Sequence, residues 1–307
     1  MKNKNKIICI GGPTASGKSE IAIKIAKHFN GEIISADCVQ IYKHLNIGSA
    51  KVTKDQMQGI NHHLIDILEP NQTFSAHDFK IKAEEKILEI TNKGKLPIIV
   101  GGTGFYIKSL LFPNTISIPD INKDNYKKYE KLLQEKGKNW LFDYLKKVDP
   151  ETANKLHKND TMRVIRALEI FETTGKIKSE FETDFQSPYN FKLIGIYEER
   201  KKLYDKINKR VDLMESQGLF NEVENLKIKY NLTSKDQSMK AIGYNEVLQY
   251  INNKNLTKTE TLNLIKRNTR RYAKRQFTWF KKMPKIAWFK PGEDEKLFNE
   301  IQNFLKL

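Results

Sequence analysis

The segment Gly12–Ser19, GPTASGKS, is the feature that most constrains what this chain can fold into. The apolar run Ile7–Ile10 precedes it and the amphipathic run Ile21–Ala26 follows it, which predicts a strand, a glycine-rich turn and a helix. In that setting the backbone N–H groups of the turn converge on an anion, and the helix directs its positive end at the same point. The lysine adds a full charge, and the last serine adds a hydroxyl suited to a magnesium ion that phosphates hold. We therefore predict a site for a di- or triphosphate, made of Gly12, Pro13, Thr14, Ala15, Ser16, Gly17, Lys18 and Ser19.

The rest of the chain predicts a parallel α/β core around this turn. From about residue 115 the α/β pattern stops, and only helical periodicity continues to about residue 190. We therefore predict an α/β fold with a P-loop NTPase-like parallel sheet, whose core comprises residues 1–114 and 191–307, and a helical insertion domain at 115–190. The predicted strands are 6–10, 32–37, 63–67, 96–100, 191–196 and 285–289, and the predicted helices include 75–93, 124–136, 140–148 and 159–174.

Two predicted strands end in residues that suit chemistry. Asp37 ends the second strand, and the buried strand 96–100 runs into Gly101, Gly102 and Thr103. Because ligands in open parallel sheets lie beyond the carboxyl ends of the strands, we expect Asp37 and Thr103 to face the phosphate site. Asp37 is also suited to be a helix N-cap. The strand 96–100 lacks the terminal aspartate that a water-activating P-loop ATPase uses, which favours a transferase.

The charge balance points to a polyanionic partner. Lys and Arg number 54 against 37 Asp and Glu, a net charge of +17. Nucleic acid is the simplest such partner, although lysine-rich codon usage gives a similar total. No apolar run is long enough to span a membrane, and the start of the chain leads directly into a strand, so we expect a cytoplasmic monomer with no membrane partner. Cys9 and Cys38 have no CxxC spacing, so neither a disulfide nor a zinc site is expected.

The segment 266–290 carries ten Lys and Arg residues, no acidic residue and six aromatic ones. Four of the cations fall on one side of a predicted helix, a surface that can follow a phosphate backbone. Aromatic residues in such a segment either stack on bases or pack inward, and packing is the interpretation we prefer for Trp279 and Phe280. The four cations are Arg267, Arg271, Lys274 and Arg275.

Further segments occur in a fixed order along nearly the whole chain. They include SADCVQIY at 35–42, IGSAK at 47–51, HLID at 63–66, FSAHDF at 74–79, VGGTGFY at 100–106, KAIGY at 240–244 and TRRYAKRQFTWF at 269–280. Together with the P-loop, these segments resemble those of the tRNA dimethylallyltransferases, which prenylate the adenosine 3′ of the anticodon. An ordered set of this size is far more specific than a P-loop alone.

The resemblance implies that the P-loop and Arg210 hold the diphosphate of dimethylallyl diphosphate, with Mg²⁺ at Ser19. The N6 amine of adenosine would attack the allylic carbon as diphosphate leaves. Asp37 matches the general base, Thr103 matches a hydroxyl that orients the reactants, and Lys18 stabilises the leaving charge. The insertion would close over the anticodon loop. The residues implied to bind tRNA are Asp37, Cys38, Val39, Gln40, Thr103, Asp160, Arg163, Val164, Ile165, Arg166, Lys240, Gly243, Tyr244, Arg270, Arg271, Lys274 and Arg275.

Two positions depart from the family pattern, and other functions stay open. Cys38 replaces a common serine, which weakens a hydrogen bond, and Lys158 replaces a common proline before Asn159. An adenylate isopentenyltransferase would share the chemistry but would need neither the insertion nor the basic segment. A P-loop small-molecule kinase would explain Gly12–Ser19 but not Asp37 with Thr103. An RNA-binding GTPase-like or chaperone module would be favoured by an Asn-Lys-x-Asp pattern, which the sequence lacks.

Overall fold

A six-stranded parallel sheet forms the centre of the fold in the computed structural model, which describes residues 4–113, 122–181, 184–253 and 255–306. Its strand order is β3-β2-β4-β1-β5-β6, so the strand that leads into the P-loop has neighbours on both sides. This arrangement confirms the predicted P-loop-like α/β fold. The strands are β1 Lys6–Gly11, β2 Gly31–Ser35, β3 His62–His63, β4 Leu96–Gly101, β5 Asn190–Ile196 and β6 Ile286–Phe289.

Helices connect these strands and also follow them along the chain. Helices α1, α3, α5 and α7 lie where the sequence pattern indicated them. No helix in the described part of the chain is both long and apolar enough to cross a membrane. The helices are α1 Lys18–His28, α2 Lys54–Met57, α3 Ala76–Asn92, α4 Gly104–Leu111, α5 Lys123–Val148, α6 Pro150–Asn154, α7 Thr161–Thr174, α8 Arg200–Ser216, α9 Leu219–Tyr230, α10 Tyr244–Asn252, α11 Lys258–Phe280 and α12 Asp294–Lys306.

The core of the sheet is built from β-branched side chains. Ile8 and Ile10 of β1 are fully buried and pack with Ile25 of α1 and Ile301 of α12. Such residues favour strands because they fit a pleated, buried surface. Each fully buried side chain of this size contributes roughly 2 kcal/mol of hydrophobic stabilisation. The rigid sheet that results fixes the positions of the loops at its carboxyl edge.

Local signals in the sequence account for two features of the helices, whereas one predicted strand is much shorter than expected. Ser75 and Asp78 form a capping box that starts α3. Gly137 leaves helical geometry (φ 79, ψ 166) inside α5, at the break predicted between two helices. The predicted strand 63–67 is reduced to His62–His63, because Leu64 and Asp66 have φ of 61 and 56. These left-handed residues turn the chain so that residues 66–68 donate to carbonyl groups of residues 40 and 41 instead.

A buried carboxylate lies at the start of β2. Glu32 is 1% exposed, and its oxygens accept from Lys95 at 2.7 Å and Asn61 at 3.0 Å and contact His63 Nε2 at 2.7 Å. Burial alone would raise the pKa of Glu32, but hydrogen bonds from Lys95, His63 and Asn61 lower it to about 2. The group therefore stays ionised and joins β2 to its neighbours.

The chain divides into two compact units, Met1–Leu111 with Ser187–Leu307 and Phe112–Gln186. The sequence pattern had placed the insertion at 115–190. The second unit has its own core, in which Leu141 and Leu145 of α5 pack with Val164 and Leu168 of α7. The unit therefore has the helical character predicted for it.

Candidate active site

The turn after β1 adopts a backbone conformation that requires small residues. Gly12 has φ +141, and a Cβ built there would lie 2.3 Å from the carbonyl oxygen of Ile196. Gly17 has φ +91, and Ala15 lies in the left-handed region at φ 64. Helix α1 then begins at Lys18, and its first backbone N–H groups have no acceptor within the helix. The turn therefore has the geometry of an anion-binding cradle.

Lys18 is the cation of this cradle. Its Nζ donates to the carbonyl oxygen of Pro13 at 2.5 Å. Burial lowers the pKa of Lys18 to about 7, against the opposing effect of the Asp37 carboxylate and with a further lowering by Arg210. The amine is therefore about half protonated at neutral pH. A diphosphate in the cradle would restore the full charge, because a nearby negative group favours the protonated amine.

Arg210 adds a second cation from α8. Its Nη1 donates to Thr14 Oγ1 at 3.4 Å. Burial lowers the pKa of Arg210, but a guanidinium remains charged at neutral pH even so. The cradle thus collects two basic side chains from distant parts of the chain, as expected for a site that binds diphosphate.

Two hydroxyls of the turn bear on the expected magnesium ion. Ser16 is fully buried, and its Oγ has no hydrogen-bond partner within the described residues. A buried hydroxyl in this state costs free energy that a ligand oxygen or cation would offset. Ser19 lies exposed in the first turn of α1. Magnesium typically takes one or two protein oxygens together with phosphate oxygens, so these residues fit the ion.

Asp37 and Thr103 follow neighbouring strands, β2 and β4, and lie side by side. Thr103 Oγ1 accepts from the Cys38 N–H at 3.1 Å, and the Thr103 N–H donates to the Ala36 carbonyl at 3.2 Å. A Cβ at Gly101 would lie 1.9 Å from that same carbonyl oxygen, so only glycine fits there. The two segments are therefore held together tightly, and the sequence-based expectation that they meet at the sheet edge agrees with the structure.

Asp37 also caps the turn that follows it. Its Oδ1 accepts from the N–H groups of Val39 at 2.9 Å and Gln40 at 3.2 Å. The two interpretations of this residue, site carboxylate and cap, are thus compatible. The cap fixes the orientation of the carboxylate through its Oδ1 atom.

Three weak acids lie near this carboxylate or its neighbour Cys38, of which Tyr42 is buried and Cys38 and Tyr272 are half-buried. Burial first, and then the Asp37 carboxylate, raise the pKa of Cys38 to about 11, against the opposing effect of the hydrogen bond with Thr103. Burial, with a contribution from Cys38, raises the pKa of Tyr42 to about 12. Burial first, and then Cys38 and Asp37, raise the pKa of Tyr272. These groups stay neutral at physiological pH, and Asp37 is the carboxylate that lies among them.

The segment after Asp37 is held by a carboxylate that sequence reasoning left without a role. Glu222 of α9 accepts from the N–H groups of Asn46, Ile47 and Gly48 at 2.9–3.2 Å. It also accepts from the Tyr244 hydroxyl at 2.7 Å. Three consecutive amides on one carboxylate fix the loop that follows Gln40. The sequence carries no local signal for the contact of Glu222 with this loop, because the two segments are far apart in the chain.

The predicted tRNA contacts of Gly243 and Tyr244 need correction. Both residues are buried, and the Tyr244 side chain is 0% exposed. The ring lies against Gly48, where a Cβ would approach it to 2.5 Å. Tyr244 therefore supports the loop through Glu222 rather than contacting RNA. Lys240 is exposed, and Gln40 Nε2 donates to the Ser49 and Ala50 carbonyls at 3.4 Å.

Helix α11 presents a basic surface, as the sequence predicted. The side chains of Arg267, Arg271, Lys274 and Arg275 are exposed. A cleft of about 450 Å³ is lined by Arg271, Lys274, Arg275, Thr278, Trp279 and Lys282.

Three other residues of α11 have different surroundings from these exposed cations. Arg270 donates to Asn208 Oδ1 at 2.6 Å and lies 5.9 Å from the centre of the Tyr204 ring. It is therefore engaged with α8, away from the exposed cations. Phe280 is fully buried, which agrees with the interpretation that it packs inward. Trp279 is half-buried and also lines the cleft.

The residues of the insertion that were predicted to contact RNA differ in their exposure. Arg163 is exposed, and its Nη1 lies 3.2 Å from Asp160 Oδ2. Arg166 is paired with the buried Glu169. Val164 and Ile165 are 1% and 2% exposed and belong to the core of the helical unit. Their predicted contact with tRNA is wrong, because the face of α7 that carries Val164 and Ile165 packs inward. These two residues anchor the helix that carries Arg163 and Arg166.

Taken together, the fold and site define a P-loop α/β enzyme whose phosphate cradle lies beside a carboxylate and a hydroxyl. A protein-family profile described as IPP transferase matches residues 40–283. The chain is 47% identical over 303 residues to a tRNA dimethylallyltransferase of Caldanaerobacter subterraneus, covering 97% of this chain and 95% of that protein. A tRNA dimethylallyltransferase of a Thermoanaerobacter species is 46% identical over 308 residues, covering 98% of this chain and 96% of that protein.

Solved structures agree with these relatives. The full-length tRNA isopentenylpyrophosphate transferase of Bacillus halodurans has a TM-score of 0.74 at 40% identity, covering 99% of this chain and 97% of that chain. A eukaryotic dimethylallyltransferase, described as acting on tRNA, has a TM-score of 0.83 at 29% identity, covering 98% of this chain and 80% of that one. The chain belongs to the IPP transferase family, which confirms the resemblance drawn from its motifs.

Proposed function

We propose that this chain transfers the dimethylallyl group of dimethylallyl diphosphate to the N6 amine of the adenosine 3′ of the anticodon in tRNA. The observation that carries the proposal is the position of Thr103, whose hydroxyl binds the amide of Cys38 directly after Asp37, together with the electrostatic effect of Asp37 on the P-loop cation Lys18. The names of the relatives, and the eukaryotic structure described as acting on tRNA, support tRNA as the acceptor.

The P-loop side of the site would bind the leaving group. When the allylic C–O bond breaks, its electron pair goes to the diphosphate, whose negative charge increases. The turn amides, Lys18 and Arg210 are positioned before the reaction, so they stabilise that charge without reorganisation. Ser19 and phosphate oxygens would hold Mg²⁺, and the ion would supply further neutralisation of the leaving diphosphate.

The Asp37 side of the site would activate the acceptor. As the N6–C bond forms, the nitrogen becomes acidic and its proton passes to Asp37 Oδ2. The Oδ1 atom stays bound to the amides of Val39 and Gln40, so the carboxylate does not rotate. The Thr103 hydroxyl accepts from Cys38, which leaves its own O–H to donate to a reactant. Asp37 would thus remove the proton, and Thr103 would orient the reactant.

The acceptor base must leave its stack before N6 can reach such a pocket. The exposed cations of α11 would bind the RNA backbone, and the half-buried Trp279 offers a surface on which a base can stack. Arg163 of the insertion is a further candidate for a backbone contact. A tRNA acceptor also places the reaction in the cytoplasm, where we expect the chain to act as a monomer.

A transfer assay tests the proposal. The chain would be incubated with Mg²⁺, labelled dimethylallyl diphosphate and an unmodified tRNA transcript, in parallel with AMP as acceptor or ATP as donor. A matched transcript with guanosine at the target position lacks the N6 amine. We expect label on the adenosine transcript only. Label on AMP would assign the chain to nucleotide prenylation, and ATP consumption without prenylation would assign it to kinases, and either result would overturn the proposal.

A further inference from the structure

A single buried side chain joins the two loops that hold the proposed substrates. Gln276 of α11 is 6% exposed. Its Oε1 accepts from the Thr14 N–H at 2.8 Å, and its Nε2 donates to the Gly102 carbonyl at 2.9 Å. Both ends of the amide are thus used, one on the P-loop and one on the loop after β4.

The two loops carry opposite halves of the proposed reaction. Thr14 lies in the turn that would bind the diphosphate, and Arg210 contacts its hydroxyl. Gly102 precedes Thr103, whose hydroxyl is bound to the Cys38 amide next to Asp37. One glutamine side chain therefore bridges the leaving-group loop and the acceptor loop beyond the ends of the paired strands β1 and β4.

Close packing restricts the residues that can stand around the Gln276 side chain. A Cβ at Gly102 would lie 2.3 Å from Gln276 Nε2, so glycine is needed for the amide to approach. The neighbouring Gly11 and Gly104 are packed equally closely by Phe280 and Trp279 of the same helix. The inner face of α11 is thus fitted to both loops, while its outer face carries the exposed cations assigned to tRNA.

We propose that Gln276 is a positioning residue for transfer, which fixes the donor loop relative to the acceptor loop from the helix that also binds tRNA. This inference rests on the proposed function. A small error in the relative placement of two reactants lowers the rate without weakening the binding of either. Loss of Gln276 should therefore reduce kcat far more than it raises the KM for tRNA.

The test compares Gln276→Met, which keeps the size and loses both hydrogen bonds, with Gln276→Glu, which keeps an acceptor for Thr14 and loses the donor to Gly102. Gln237 is a matched control in the full chain. It binds the backbone of Phe74 in the same two-ended way, accepting at 3.0 Å and donating at 2.8 Å. Steady-state kinetics with tRNA and melting temperature would be measured for each variant.

We expect kcat to fall about tenfold or more in both Gln276 variants, with the KM for tRNA within about twofold of the wild type. Gln237→Met should lower the melting temperature and leave kcat within about twofold. The inference is overturned if a folded Gln276 variant retains kcat, or if Gln237→Met loses kcat to the same degree. An inactive wild-type chain would instead remove the proposed function, which separates the two failures.

Discussion

Raising the pH from about 7 to about 9 should weaken the binding of dimethylallyl diphosphate, because Lys18 loses its proton over this range. Burial lowers the pKa of Lys18 from 10.5 to about 7 in the ligand-free chain. The diphosphate favours the protonated amine and raises that pKa on binding. Above the free pKa, each unit of pH then costs about tenfold in affinity, or about 1.4 kcal/mol. Because the amine is already half deprotonated at about pH 7, the rise to about pH 9 gives a loss of about 50-fold.

Isothermal titration calorimetry without tRNA measures this effect. At about pH 8.5 the binding of one ligand should take up close to one proton, which is obtained from titrations in two buffers of different ionisation enthalpy. Lys18→Arg is the matched variant, since a guanidinium stays charged throughout. Its affinity is expected to change little with pH, and its proton uptake should vanish. Ionisation of the ligand itself is common to both proteins and cancels in the comparison.

The change of affinity with pH in the wild type is the decisive measurement. An affinity that stays within about threefold across the range would mean that Lys18 is already fully protonated before the ligand binds. An equal pH slope in Lys18→Arg would assign the titration to another group. Either result would refute the link between burial of the lysine and phosphate binding.

Three further predictions follow from single side chains. Glu222→Ala should cost about 2 kcal/mol in the free energy of unfolding and raise the KM for tRNA, because the amides of residues 46–48 lose their acceptor; denaturation curves equal to the wild type would contradict this. Glu32→Gln should cost about 2–4 kcal/mol at neutral pH. The pKa of Glu32 in the folded chain is about 2, below the ordinary value of 4.5. The wild type should therefore lose this stability as the pH falls from about 4.5 to about 2. A difference in urea midpoint between wild type and variant that does not change with pH would contradict the prediction. The double variant Arg271→Gln with Lys274→Gln should reduce the slope of log affinity for tRNA against log salt by about 1–2. The control variant Lys296→Gln on α12 should leave that slope unchanged. Equal slopes in the wild type and both variants would mean that the cations of α11 do not contact tRNA.

The sheet and the P-loop could be predicted because their signals are local. Strand β1 and the turn at Gly12–Ser19 are adjacent in sequence, and the carboxyl ends of parallel strands bring Asp37 and Thr103 to the same edge. The capping box of Ser75 was equally readable. The segment 63–67 could not be assigned correctly, because left-handed conformations at non-glycine residues have no reliable sequence signal.

The supports of the site could not be predicted, because they join distant segments. Thr14 and Gln276 are 262 residues apart, and Gly48 and Glu222 are 174 apart. The motif at 240–244 was assigned to RNA binding, although Tyr244 is buried and acts through Glu222. A motif identifies which residues matter to a family, but burial decides whether each one contacts the substrate or holds another residue in place.

The most direct test of the proposed chemistry is the single-turnover rate of transfer by Asp37→Asn beside the wild type. Asparagine keeps the Oδ1 acceptor that binds the amides of Val39 and Gln40, so the turn and the tRNA affinity should be preserved. It cannot take the N6 proton, and we predict a rate at least about 100-fold lower. Mass spectrometry of the digested tRNA would establish that the wild-type product is N6-isopentenyladenosine. A variant that transfers within about tenfold of the wild type would contradict the assignment of Asp37 as the base.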